Sequence, residues 1–177
     1  MWAVENANEL GVDASKIAIS GTSAGGNLSA AVAQMARDCK GPSIKHQVLF
    51  CPVINMEFER PSVIANAEGY GLTTEGMKWF WDQYIGSDGD GHNPYASVIR
   101  AKDLSGLPDA TVIAAEYDPL LDEAADYAAA LKAAGNNVTY TEYKRMNHGF
   151  NGSFGLIDAA LQACEEASAR ILASFDK

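Results

Sequence analysis

The sequence predicts an α/β fold, a parallel sheet with helices on both faces, and two observations carry that expectation. Short apolar runs that read as strands alternate with longer runs at helical spacing, the order that βαβ crossovers produce. A glycine-rich turn, Gly21-Thr22-Ser23-Ala24-Gly25-Gly26, stands directly between the first strand candidate and the helix that follows it. Size agrees: 177 residues, 47% of them apolar, can bury one sizeable core, so 1–177 is read as one domain.

Taken in order, Trp2 to Leu10 has a helical pattern and Gly11 sits where a C-cap glycine belongs. Lys16 to Ser20 is a short apolar strand, followed by the glycine turn and a helix of small residues from Asn27 to about Cys39. Gln47 to Ile54 reads as a buried strand that ends at Pro52 or soon after. Thr73 or Thr74 caps a helix on which Met77, Phe80, Trp81 and Tyr84 share one face, and Trp79-Phe80-Trp81 is read as core rather than as pocket wall. Ala110 to Tyr117 is a further buried strand. The helix after Pro119 carries Leu121, Ala124, Ala125, Ala128 and Leu131 on one face and stops at Gly135. Val138 to Lys144 is the last strand, and a final helix from about Leu156 to Phe175 has a stripe of Ile157, Leu161, Cys164, Ile171 and Phe175. The connections 57–70 and 86–108 are long, of the kind that shape a site.

Composition excludes several function classes. No apolar stretch approaches the roughly 20 residues of a membrane helix, and the start lacks a signal-peptide layout, so the expected address is the cytoplasm. A formal charge of -10 repels phosphate backbones and anionic lipid, which makes nucleic acid and membrane poor partners. Cys39, Cys51 and Cys164 form no CxxC pair and are each read as small hydrophobes in a reducing compartment. The histidines lack zinc-ligand spacing, and Asp88-Gly89-Asp90-Gly91 is followed by His92 with no bidentate Glu, so neither zinc nor calcium is expected.

Gly21-Thr22-Ser23-Ala24-Gly25 matches G-x-S-x-G, a weak pattern by itself in a chain with 16 glycines. Its setting between strand and helix strengthens it. A serine whose oxygen must stand clear of the sheet needs a sharp turn, with glycines two residues either side where a Cβ would collide with backbone. A helix opening at Ala24 aims its first N–H groups and its positive dipole end beside Ser23, where an oxyanion would form. The competing reading is a turn that holds a phosphate or nothing.

His148 follows the last strand, and loops at the carboxyl ends of parallel strands share one edge, so it can meet Ser23. His46 precedes its strand and belongs to the opposite edge, while His92 lies in a long polar loop. Asp118 follows the strand ending at Tyr117, which makes the chain order Ser, Asp, His. Asp118 before Pro119 also looks like a helix cap, and a carboxylate has lone pairs enough for both roles. Glu116 and Asp122 are the alternatives.

With these residues assembled, the chain resembles the bacterial hormone-sensitive-lipase-like esterases of the α/β-hydrolase superfamily. The resemblance rests on Gly21 to Asn27, Glu68-Gly69-Tyr70-Gly71-Leu72, Asn93-Pro94-Tyr95-Ala96-Ser97, Leu104-Ser105-Gly106-Leu107-Pro108, Glu116 to Leu120 with Asp122-Glu123, and His148-Gly149-Phe150. It implies an α/β-hydrolase fold and a carboxylesterase acting on short- to medium-chain acyl esters. Ser23, Asp118 and His148 are then the triad, with no cofactor, and Thr22 stands where many members have Asp. The family's upstream His-Gly-Gly-Gly segment has no match here, which leaves the Ala24 N–H as the oxyanion donor in this chain and implies a partial, C-terminal catalytic domain of weak activity. The strand of Lys16 to Ser20 would then be an apolar edge, so a homo-oligomer or pairing with a separate N-terminal segment is expected. The rival from another class is a catalytically dead hydrolase-fold binding module. An amidase or peptidase reading is weaker, because Ala24 stands where prolyl-peptidase-like sequences often have tyrosine.

Overall fold

The structure is a computed structural model that describes residues 2–176. Its centre is a four-stranded parallel sheet of β1 (Ala18–Thr22), β2 (His46–Phe50), β3 (Asp109–Tyr117) and β4 (Val138–Asn147), in the order β1-β2-β3-β4. Around it lie α1 (Trp2–Glu5), α2 (Ala7–Leu10), α3 (Ala24–Asp38), α4 (Pro61–Ala65), α5 (Thr74–Ile85), α6 (Leu121–Ala133) and α7 (Asp158–Phe175). The α/β expectation and the parallel sheet are both realised, and no helix of the described residues is long and apolar enough to cross a membrane.

Period-two alternation splits the core into two layers. Leu49, Val112 and Ala114 face α3 and α6, where they meet Ala30, Ala31, Tyr127 and Leu131. Their chain neighbours Val48, Phe50, Ile113 and Ala115 face the other way, onto Phe150 and Ala160, Ala163 and Ala167 of α7. Strands buried on both faces read as continuous apolar runs, which is why the sequence marked them clearly.

Several boundaries differ from the sequence reading, each for a local reason. The first helix breaks at Asn6, whose side-chain amide donates to the Trp2 carbonyl at 2.8 Å and competes with the backbone ladder. β1 starts at Ala18 and not at Lys16, because Asp13 holds the preceding residues in a turn through its carboxylate and Ser15. β2 stops at Phe50 rather than Ile54, since Cys51 turns out of the strand at φ 42°. β4 runs to Asn147, three residues beyond Lys144, with a register shift between Ala115 and Tyr117 of β3. On α7 the buried stripe is made by small residues, and Leu161 is exposed, because a helix close to the sheet admits alanine more readily than leucine.

Helix ends follow expectation more closely. Thr73 caps α5, its hydroxyl accepting from the Gly76 N–H at 3.0 Å, and Gly135 ends the α6 turn at φ 90°.

Candidate active site

The first residue past each of the four strands is Ser23, Cys51, Asp118 and His148 in turn, so parallel topology delivers all four side chains to one edge of the sheet.

Ser23 occupies φ 58°, ψ -119°, a conformation an L-residue adopts only when its surroundings hold it there. Its N–H donates to the Phe50 carbonyl at 2.8 Å, and its own carbonyl accepts from the Asn27 and Val53 N–H groups at 3.1 and 3.3 Å. The strand-to-helix turn is therefore closed on both sides. Gly21 is needed as expected, since a Cβ there would meet the Gly25 carbonyl carbon and oxygen at 2.2 Å. Gly25 corrects the expectation: a Cβ on it would point into open space. Its backbone lies against Gly21, whereas its own outer side is free. The second crowded position is Gly26, where a Cβ would come within 2.9 Å of Pro52.

His148 Nε2 lies 2.9 Å from Ser23 Oγ, and Nδ1 lies 2.8 Å from Asp118 Oδ2. Since a carboxylate accepts only, the Nδ1–H donates to Asp118 and Nε2 is left to accept the serine hydroxyl. Asp118 is 1% exposed, and its second oxygen accepts the Leu120 N–H at 2.9 Å. The carboxylate thus serves imidazole and backbone at once. α6 begins only at Leu121, so Pro119 is not its first residue.

The other candidates are elsewhere. His46 is buried at the opposite edge against the Thr111 hydroxyl, 2.9 Å away, and His92 is exposed. Glu116 accepts the Arg145 N–H at 2.7 Å and Asp122 accepts the Ser62 N–H at 2.8 Å, each on a structural duty of its own.

Cys51 was not foreseen as part of this edge. Placing it inside a longer strand hid the fact that it is the first residue beyond β2. Burial first, and then the negative charge of the nearby Asp118 carboxylate, push its thiol well above its ordinary range. Ligand atoms of Cys51, Asp118 and His148 lie within 4.8 Å of one another. A cation held there would have to displace the Asp118–His148 hydrogen bond and deprotonate a thiol that burial keeps protonated, so hydrogen bonding is the role the donor set fits.

Beside Ser23 opens a cavity of about 350 Å³ whose wall includes Leu28, Val53, Leu72, Met77, Phe80 and Trp81. The aromatic helix therefore corrects the core reading. Met77 and Trp81 are buried, but Phe80 and Tyr84 are 58% and 48% exposed and line the cavity with Trp81. One helical face was foreseen; what it faces is the space over Ser23. The connections 57–70 and 86–108 do not line this cavity. The first folds into α4, and the second is tied to α3 through Asn27 and Gln34, whose amides donate to the Ala96 and Val98 carbonyls at 2.7 and 2.8 Å.

Comparison with known proteins bears on the family and the fold. A family described as having the α/β-hydrolase fold matches residues 1–152. Carboxylesterase NlhH of Mycobacterium tuberculosis is 40% identical over 99% of this chain and 55% of its own length. An arylesterase of Saccharolobus solfataricus is 39% identical over 86% of this chain and 50% of its own. Among solved structures, the thermostable carboxylesterase EstE1 from a metagenomic library superposes with a TM-score of 0.93 at 40% identity, covering 98% of this chain and 60% of that one. Esterase rPPE, solved as an S159A mutant, gives 0.94 at 38%, covering 98% and 56%. The chain spans about half the length of the curated relatives it matches. With the fold, the ordered motifs and these likenesses in agreement, the chain belongs to the α/β-hydrolase family.

Proposed function

We propose that this chain carries the reacting groups of a carboxylic ester hydrolase, with Ser23 as nucleophile, His148 as general base and Asp118 as the group that orients and charge-stabilises the imidazole. The observation that carries the reading is the continuous hydrogen-bond chain from Ser23 Oγ through both ring nitrogens of His148 to Asp118. In this mechanism Nε2 takes the serine proton as Oγ bonds to the ester carbonyl carbon, and the carbonyl π pair moves onto oxygen beside the Ala24 N–H at the start of α3. Collapse of the tetrahedral intermediate expels the alcohol, which leaves with the proton from Nε2. Water then attacks the acyl-enzyme by the same base and returns Ser23. No cofactor enters these steps.

The apolar cavity suits the acyl group of a short- to medium-chain ester, and it supports a small-molecule substrate. Residues 1–177 act in this reading as a single partial catalytic domain. Turnover by these residues is weak in this reading, because one oxyanion donor typically accounts for about 10²–10³ in kcat and, among the described residues, Ala24 is the donor that the start of α3 sets beside Ser23. Among the described residues β1 pairs only with β2, and Leu28, Val32 and Met35 form an exposed apolar row on α3. Both features support association, with a second copy or with a separate N-terminal segment. Free cysteines support the cytoplasm as its setting.

The test is covalent labelling with a fluorophosphonate, followed by peptide mass analysis. Modification confined to Ser23, abolished by Ser23→Ala and slowed by His148→Ala, is the expected result. Absence of labelling in folded wild-type protein would favour the alternative, a catalytically dead fragment that serves binding or assembly.

A further inference from the structure

We propose that Thr22 and Asn151 form a clasp that holds the His148 loop against the nucleophile turn, making both of them positioning residues for His148; this rests on the esterase reading above.

Asn151 Nδ2 donates to Thr22 Oγ1 at 2.9 Å, joining residues 129 apart in sequence. Thr22 is the residue before Ser23, and Asn151 lies three residues after His148 in a 3₁₀ turn that spans Phe150–Ser153. The bond therefore spans the two segments that must be in register for Nε2 to reach Oγ. The strand ladder does not tie them directly, because β1 and β4 lie at opposite ends of the sheet order with β2 and β3 between them. Among the described residues the Ser23–His148 bond also joins the two segments, and Phe150 anchors the second of them under β2 and β3.

The chemistry of Asn151 makes the contact consequential. Its Oδ1 is buried with no hydrogen-bond partner among the described residues, so the amide is held by Thr22 alone. Removing the hydroxyl would take away the amide's hydrogen-bond partner while its Oδ1 is already buried and unpaired, a state that drives a side chain to seek water. Asn151 is half-buried, and its turn begins at Gly149, which sits at φ 73° directly after His148, so a side chain seeking a new partner would shift that turn. The displacement would be passed to the imidazole. Misplacement of a reacting group by about 1 Å can lower a rate by about 10²-fold.

The experiment compares wild type with Thr22→Val, Asn151→Leu, the double variant and Thr22→Ser. Two readouts are taken: the second-order rate of fluorophosphonate labelling, and the low-field ¹H NMR resonance of the His148 Nδ1 proton bonded to Asp118. Each single variant is expected to label about tenfold more slowly with that resonance broadened, the double variant no more slowly than either single, and Thr22→Ser, which keeps the hydroxyl, to recover most of the rate. Equal rates and an unchanged resonance in Thr22→Val would overturn the clasp, as would multiplicative effects in the double variant. If wild type does not label, the esterase reading has failed, and the resonance alone decides whether the clasp orders His148. A variant that fails to fold is replaced by Asn151→Ser, too short to reach Thr22, for which the same losses are expected.

Discussion

Glu123 gives α6 a titrating group in the core, and its consequence for stability is calculable. The side chain is 0% exposed; Oε1 accepts the Ile54 N–H at 2.6 Å, while Oε2 is buried without a partner among the described residues. Burial raises its pKa from 4.5 to about 8, against the opposing pull of the Ile54 and Asn55 N–H groups and of Arg60, and with a small further push from Asp118. In the unfolded chain the same carboxyl releases its proton near the ordinary Glu value of about 4.3. Between those two values the folded state binds one more proton than the unfolded state. The contribution of Glu123 is therefore fully present below the unfolded pKa and is lost as pH rises through the folded one, at about 1.4 kcal/mol per pH unit. From about pH 5.5 to 7.5 that amounts to about 3 kcal/mol, a large part of the 5–15 kcal/mol typical of a whole domain. Glu123→Gln keeps a carbonyl for Ile54 and cannot ionise. Urea unfolding at a series of pH values should show the variant gaining on wild type by this slope until about pH 8 and running parallel above it. Parallel curves from pH 5.5 upward would mean that Glu123 is ionised in the folded protein and that the burial argument is mistaken.

Three other outcomes are expected. Gly21→Ala should leave little soluble protein, because its Cβ would lie 2.2 Å from backbone that cannot retreat, whereas Gly25→Ala should change stability by no more than about 1 kcal/mol; thermal melts with the opposite ranking would contradict the geometry of the turn. Asp118→Asn keeps an acceptor for the Leu120 N–H but presents an amide to the imidazole, and labelling of Ser23 should slow by about 10⁴, the size of effect that the wrong tautomer has in such triads; a rate within tenfold of wild type would remove Asp118 from its role. A thiol reagent should modify the exposed Cys39 readily in native protein and reach Cys51, 1% exposed, only after unfolding; rapid reaction of Cys51 would show that the edge behind Asp118 opens easily.

Much of this molecule could be read before any coordinates. Strands buried on both faces announce themselves as apolar runs, and Gly21 through Gly26 marks a turn between strand and helix. Placing Ser23, Asp118 and His148 after strands of one sheet needed the rule that parallel strands end on one edge, together with the chain order Ser, Asp, His. The misreadings share a cause. Gly25 and Gly26 are neighbours of one type, and which of them is crowded depends on Pro52, from a segment 26 residues away. Phe80 and Tyr84 lie at core spacing, yet spacing cannot say whether a face meets sheet or cavity.

By itself the amino-acid order determined the alternation of elements, the edge on which the candidate residues gather and the order in which they come, because these follow from local periodicity and the geometry of parallel crossovers. Only the tertiary structure decided that Cys51 joins that edge, that Asn151 reaches Thr22, and that the aromatic helix walls a cavity. Those facts depend on contacts between segments up to 129 residues apart, whose distances no local pattern encodes.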